Sequence, residues 1–206
     1  MKRMKKVIAL GMAVLMCMGL TACKKDFDAA GYTKAVLDAN YHAKYEKYAD
    51  YRGISESDAK KEVTDGMRTQ IEDAFSGMDV SDAMMDKYIE VADKAYDLAD
   101  FTVKEAKKQD DDSYAVTVAI KPSDVFNNSS NYVNDIATEY TNKGLDPTQA
   151  DVLMDILTES LNRAIQANTY GEETTLEVHV TPDKDGAYGI EDSEMQTIES
   201  TMFPGE

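Results

Sequence analysis

The chain has 206 residues, of which 39 are acidic and 22 basic, giving a formal net charge of −17 at pH 7. Binding to nucleic acid or to anionic lipid headgroups depends on Lys and Arg side chains that neutralise phosphates, so this charge argues against both partners for the folded domain. The hydrophobic share of 43% is too high for a disordered chain, and the length suits one domain with a sizeable core.

Residues 1–22 have the pattern of an export signal. Lys and Arg residues at positions 2–6 precede an apolar run over 7–20, which is too short for a membrane-spanning helix but fits a signal peptide. The run ends in Leu20-Thr21-Ala22-Cys23, which resembles the lipobox of bacterial lipoproteins. The resemblance implies that a signal peptide of residues 1–22 is removed and that Cys23 becomes a lipidated N-terminus. An uncleaved signal anchor and an ordinary secretory signal cut near Ala22 are the alternatives.

The cysteine content agrees with lipidation. The chain contains two cysteines, Cys17 inside the apolar run and Cys23, so no thiol remains for a disulfide, a metal cluster or a catalytic nucleophile. Two acyl chains on Cys23 would anchor the protein stably to the outer face of the cell membrane. We predict a short tether over 23–27 and a single extracytoplasmic domain over 28–206, with a net charge of about −21 once the four basic residues of the signal are lost.

Apolar side chains in the first half of the chain recur at steps of three and four, which predicts amphipathic helices. The first is expected from the cap residue Asp28 to about Asp50, with Gly53 as its C-terminal glycine. A second should follow the capping residue Ser55, and a third should begin near Ser81.

From about residue 101, apolar and polar residues alternate, which is the period of a β-strand. Alternating apolar residues over 101–105 and 114–120 predict a β-hairpin around the turn 110–113, and a second hairpin is expected around 183–186. Between them lie two predicted helices. The polar run 127–131 is expected to open the first, and the second has Asp146 as cap and Pro147 at its first position. A short helix over 192–201 closes the chain. We therefore predict an α+β fold in which about six helices pack mostly on one side of an antiparallel sheet of about four strands.

Side chains with catalytic potential are few. His42 is predicted on the polar face of the first helix, and His179 on the outward face of a strand, so both are expected to be solvated. The acidic turns 110–112 and 183–185 are expected to be hairpin turns, because their spacing does not fit a calcium loop. We expect no enzymatic activity, no metal and no cofactor.

Tyrosine is unusually frequent, with twelve residues and no tryptophan. Four of them have spacing that suits a helix-packing face, in which the rings are buried. The alternative is a groove that stacks a sugar or grips a peptide. Such a groove would be lined by Tyr41, Tyr45, Tyr48 and Tyr88.

The segment Tyr32-Thr-Lys-Ala-Val-Leu-Asp-Ala-Asn-Tyr41, followed by Tyr48, Gly53-Ile54-Ser55 and Ala59, resembles the repeated signature of a group of Gram-positive surface lipoproteins of unknown function. The strand segment 113–122 is also similar to that group. Arg52 stands where the signature usually has Thr. The resemblance implies a surface lipoprotein and assigns no activity.

These features favour a non-enzymatic, membrane-anchored domain that binds a protein or a small solute at the cell surface. The alternative is a solute-binding or carbohydrate-binding accessory protein in envelope metabolism or transport. The shape of the site separates the two, because a closed cavity with convergent polar groups favours a solute and a flat apolar patch favours a protein.

Overall fold

The computed structural model describes residues 27–205, and this part of the chain has an α+β fold. Its seven helices and four strands confirm the fold class, with one helix more than the sequence predicts. The helices are α1 (Ala29–Tyr41), α2 (Glu46–Arg52), α3 (Glu56–Ala74), α4 (Asp82–Tyr96), α5 (Val125–Asn142), α6 (Ala150–Gln166) and α7 (Asp192–Met202). The strands are β1 (Asp100–Lys108), β2 (Tyr114–Lys121), β3 (Thr174–Pro182) and β4 (Tyr188–Ile190).

Two predicted helix caps are confirmed. Asp28 precedes α1 and its carboxylate accepts a hydrogen bond from the backbone N–H of Gly31 at 2.8 Å. Ser55 precedes α3 and accepts one from the N–H of Asp58 at 3.1 Å. Each cap satisfies a backbone donor that has no partner inside its helix.

The extra helix arises because the first predicted helix is two helices. The chain leaves the helical path after Tyr41, and Ala43 has a φ of 51° in the left-handed region. The ring of His42 lies 2.9 Å from the carbonyl oxygen of Ala99, which holds this break against the start of the sheet. The apolar spacing continues across the break because Tyr45 and Tyr48 return to the same core.

Two other boundaries differ from the prediction. Helix α5 begins at Val125, so the polar run 127–131 lies inside the helix and does not precede it. Helix α6 begins only at Ala150, since Asp146 folds a separate turn by accepting the N–H of Thr148 at 2.9 Å. Pro147 is therefore in that turn and not at the first position of the helix.

The sheet is an antiparallel meander in the order β1-β2-β3-β4, and both predicted hairpins are confirmed. Its two faces differ. Val116, Val118 and Ile120 of β2 and Val178 and Val180 of β3 belong to the same core as the helices. Glu177 and His179, which alternate with them on β3, are exposed. One face is thus covered by helices, and on the other face β3 is exposed while Ala115 and Ala119 of β2 are buried.

Phe27 is part of this core, although the sequence predicts it as tether. The core therefore includes a residue that lies before the predicted boundary at Asp28.

Candidate functional site

All four candidate groove tyrosines are core residues. Tyr41, Tyr48 and Tyr88 are between 3% and 7% exposed. Burial raises the pKa of Tyr88 to about 12, and burial together with the charge of Glu199 raises the pKa of Tyr41 well above its usual range. The hydroxyl of Tyr48 donates to Glu62 at 3.1 Å. The burial of these three rings fits the helix-packing interpretation of the tyrosine pattern.

Tyr45 is different, because it lines an open surface depression. This groove, which we call the α3–α4 groove, has a volume of about 560 Å³ and lies between α3, α4 and the segment that joins α1 to α2. Its lining residues are Ala43, Tyr45, Glu56, Lys60, Thr64, Asp65, Met67, Arg68, Ile89, Glu90 and Asp93.

The groove combines an apolar base with charged walls. Tyr45 and Met67 are buried and Ile89 is half-buried, so Ile89 offers most of the apolar surface that a ligand can contact. Lys60 on α3 and Asp93 on α4 lie on opposite sides. Within residues 27–205, neither side chain makes an ion pair shorter than 4.0 Å. A cation and an anion are therefore both available to a ligand.

Three of the other four charged side chains of the groove have partners, and Asp65 pairs with Lys61 at 2.7 Å. Arg68 donates to Glu72 at 2.8 Å and to Asp86 at 2.6 Å. Glu90 pairs with Lys94 at 2.7 Å. This leaves Lys60, Asp93 and Glu56 as the charged groups available for recognition, with Lys60 and Asp93 on different helices.

The surroundings of Asp93 disfavour the ionised form of its carboxyl group. Partial burial and the nearby charge of Asp97 raise the pKa of the Asp93 carboxyl above its usual value, while Lys94 and Lys60 act in the opposite direction. Burial and the Asp93 charge also raise the pKa of Tyr45. Shifted carboxyl groups that line a cleft are a feature of binding and catalytic sites.

Ala43 adds a backbone feature at one end of the groove. Its φ of 51° is unfavourable for a residue with a β-carbon. Strained residues of this kind concentrate at functional sites, where the surrounding structure holds them in place. Ala43 shares the groove lining with Tyr45, Lys60 and Asp93.

His42 is a structural residue at the break between α1 and α2. Its Nε2 lies 2.9 Å from the Ala99 carbonyl oxygen, its Nδ1 lies 3.3 Å from Asp38, and its ring stacks on Phe101. The side chain is only 20% exposed, so the prediction of a solvated histidine is wrong. Burial opposes ionisation of Asp38, but hydrogen bonds from Lys34 and His42 lower its pKa. Both ring nitrogens are occupied, which leaves none for a substrate.

His179 lies on the exposed face of the sheet, as predicted, and is 47% exposed. Its Nδ1 is 2.8 Å from Glu194 at the start of α7, and its Nε2 is 3.6 Å from Glu177. The hydrogen bond to Glu194 raises the pKa of His179, against a smaller effect of burial. Within residues 27–205, its polar contacts are with these two carboxylates, and the pair with Glu194 ties β3 to α7.

The two acidic turns are hairpin turns, as predicted. Asp111 accepts from the backbone N–H and the hydroxyl of Ser113, and Asp183 accepts from the N–H groups of Asp185 and Ala187. A depression of about 490 Å³ beside the second turn is lined by residues of β3, β4 and the start of α7. Within residues 27–205, no group of three or more His, Cys, Asp or Glu side chains is placed so that it could hold a metal ion.

Cys23 lies outside the residues that the structure describes, so its lipidation stays a prediction. Within residues 27–205, no helix is both long enough and apolar enough to cross a membrane.

Comparison with known proteins gives one structural relative. The chain resembles the crystal structure of a candidate lipoprotein, ycdA, from Bacillus subtilis, with a TM-score of 0.59 and 15% sequence identity. The match covers 85% of this chain and 56% of that one, so this chain spans little more than half the length of its relative. No protein-family model and no curated protein matches the sequence. At this identity the likeness concerns the fold alone.

Proposed function

We propose that this protein is a lipoprotein of the outer face of the cell membrane, anchored through Cys23, and that its α3–α4 groove binds a partner protein without catalysis. The anchor is supported by the lipobox Leu20–Cys23 and by the likeness of the fold to a candidate lipoprotein. The binding role is carried by one observation, which is the pairing of an apolar base with Lys60 and Asp93 on opposite walls.

This arrangement suits a peptide segment of a protein. The groove is open and is lined by residues 56–68 of α3 and 89–93 of α4, whereas a captured solute is usually enclosed over most of its surface. A peptide offers apolar side chains to Tyr45, Met67 and Ile89, together with charges of both signs to Lys60 and Asp93. The alternative function, capture of a carbohydrate, has less support, because the ring of Tyr45 on which a sugar would stack is only 8% exposed.

The anchor is tested by fractionation. Cys23→Ala should move the protein from the membrane to the soluble fraction, while Cys17→Ala should leave it in the membrane. A Cys23→Ala protein that still sediments with the membrane contradicts the lipid anchor.

The groove is tested by photo-crosslinking in intact cells. Thr64 lines the groove, and Thr197 on α7 is a matched control, because each hydroxyl donates to the carbonyl oxygen four residues earlier. A benzophenone amino acid at position 64 should form a discrete protein adduct that position 197 does not, and Lys60→Glu should weaken it. An adduct of glycan mass at position 64 supports the carbohydrate alternative. Equal labelling at both positions contradicts a binding role for the groove.

A further inference from the structure

Phe27, the first residue that the structure describes, is held by an aromatic cluster. Its ring stacks on Tyr188 of β4 with centroids 4.2 Å apart and planes 11° apart. It also contacts Tyr32 of α1, Tyr51 of α2 and Tyr114 of β2 at centroid distances of 5.6, 6.3 and 5.9 Å. We call these five residues the Phe27 cluster. Aromatic pairs at such distances stabilise beyond the area they bury, so the chain is fixed to the domain at this point.

The Phe27 cluster lies at one end of the sheet. Tyr114 is the first residue of β2 and Tyr188 the first of β4, so each directly follows a hairpin turn. The hydroxyl of Tyr188 donates to the carbonyl oxygen of Asp112 in the first turn, at 3.2 Å, which brings the two turns together. We call this end of the domain, with both hairpin turns, the turn end.

Helix α1 leads from the turn end to the α3–α4 groove. It begins next to Phe27, and the residue that follows its last turn, His42, stacks on Phe101 at the opposite end of β1. Its 13 residues span about 20 Å. Ala43 and Tyr45 of the groove come directly after it. The groove therefore begins about one helix length from the Phe27 cluster.

The chain between the proposed lipid and this cluster is short. Cys23 and Phe27 are four residues apart, which allows roughly 14 Å at full extension. This reach is less than the length of α1. We infer that the Phe27 cluster orients the domain on the membrane, with the turn end toward the lipid surface and the Ala43 end of the groove away from it. The inference rests on the lipid anchor proposed above.

The charge of the turn end determines how this end of the domain meets the lipid surface. The turns carry Asp110, Asp111, Asp183 and Asp185, all exposed, with Lys108 and Lys184 as nearby cations. Exposed carboxylates disfavour insertion into the bilayer and repel anionic headgroups. The turn end thus faces the lipid across a thin aqueous layer, and the groove stays open to partners that approach from outside the cell.

Distances from the membrane test this orientation. The lipidated chain is reconstituted in vesicles of phosphatidylcholine and phosphatidylglycerol that contain a rhodamine lipid. A donor dye is attached to a single introduced thiol, either Lys184→Cys in the second turn or Lys44→Cys beside the groove. Both positions are exposed, and once Cys17 is removed and Cys23 acylated no other thiol remains. Energy transfer should place the dye at position 184 closer to the lipid by about the length of α1.

Two variants isolate the role of the cluster. Phe27→Ala should reduce the difference between the two dyes, and thermal unfolding shows whether the domain still folds. An insertion of about twelve Gly and Ser residues before Asp26 keeps the cluster intact but adds a flexible reach of roughly 20 Å, so it should also reduce the difference. Equal distances in the unmodified chain, or a greater distance at position 184, overturn the inference. Failure of the protein to bind vesicles at all would instead contradict the lipid anchor.

Discussion

The hydroxyl of Tyr96 lies 3.3 Å from Oε1 of Glu199, and this hydrogen bond joins α4 to α7 inside the core. Both residues are buried, and the ring of Tyr96 packs edge-on against Phe203. The ring of Tyr41 lies next to that of Tyr96, at a centroid distance of 6.3 Å. Within residues 27–205, however, the buried hydroxyl of Tyr41 has no hydrogen-bond partner. Two neighbouring tyrosines thus differ in what their hydroxyls contribute.

This difference predicts opposite effects of the same substitution. Tyr96→Phe removes a donor from a buried carboxylate and should lower the free energy of unfolding by about 1–3 kcal/mol. Tyr41→Phe removes a hydroxyl that lost its water on folding without a protein partner in return, so stability should stay equal or rise by up to about 1 kcal/mol. Urea unfolding of the two variants measures both values. An equal loss in both would show that the Tyr41 hydroxyl is also satisfied.

We predict that replacing Gly31 with Ala destabilises the protein, although this replacement usually stabilises a helix. Ala in place of Gly inside a helix normally stabilises by about 0.5–1 kcal/mol. A β-carbon at Gly31 would lie 2.3 Å from Oδ2 of Asp28 and 2.6 Å from the hydroxyl of Tyr51. Gly31→Ala must therefore displace the cap of α1 or the Tyr51 ring, and it should destabilise by about 1–3 kcal/mol. Thermal unfolding measures the change.

The double variant Asp28→Ala, Gly31→Ala is the control for this prediction. Asp28→Ala alone should cost about 1 kcal/mol, because it removes the cap of α1. If the carboxylate is what opposes the new β-carbon, the loss in the double variant should be smaller than the sum of the two single losses. Strict additivity would place the clash elsewhere.

Local sequence signals predicted the fold well because they depend on neighbouring residues. The alternation of Val116, Val118 and Ile120 and the caps Asp28 and Ser55 act within one element, and the structure has each in the predicted role. The break at Ala43 depends on a contact between His42 and Ala99, which are 57 residues apart. Periodicity carries no information about such a contact.

The candidate site was less predictable for the same reason. The tyrosine pattern identified Tyr45, but the groove also needs Lys60 from α3 and Asp93 from α4, whose proximity is set by helix packing. Phe27 was assigned to the tether because a single aromatic residue has no period. Its partners come from four separate elements, and only the folded chain brings them together.

We predict that the stabilisation by the His179–Glu194 pair, which joins β3 to α7, depends on pH. The hydrogen bond to Glu194 raises the pKa of His179, so the folded state binds this proton more tightly than the unfolded state. The stabilisation by this pair is therefore fully present below the pKa of His179 in the unfolded chain, about 6.5. It is lost as the pH rises through the higher pKa of His179 in the folded state. His179→Gln should lower stability by less than about 1 kcal/mol at pH 5.5, since the pair is half-exposed, and should have no effect near pH 9. A loss that is equal at both pH values would contradict a charged pair.

We predict that the ionised carboxylate of Asp93, which lines the groove, lowers the stability of the domain. Its raised pKa, due to partial burial and Asp97, means that the folded state disfavours the ionised carboxylate. The penalty is fully present above the folded pKa and disappears as the pH falls below the unfolded value. Asp93→Asn should therefore stabilise the domain at pH 7.5, by less than about 1 kcal/mol because the side chain is exposed, and the gain should vanish near pH 3.

The matched control for Asp93 is Glu90, which lines the same groove on the same helix. Its pKa is lowered by the hydrogen bond from Lys94, so Glu90→Gln should leave stability unchanged or reduce it at pH 7.5. Thermal unfolding of both variants, combined with crosslinking from position 64, separates stability from binding. If Asp93 is retained for recognition, Asp93→Asn should yield a more stable domain that forms less adduct, because sites built for binding often carry groups that folding alone disfavours. A stabilised Asp93→Asn protein with an undiminished adduct would remove Asp93 from the binding site and leave recognition to Lys60 and the apolar base.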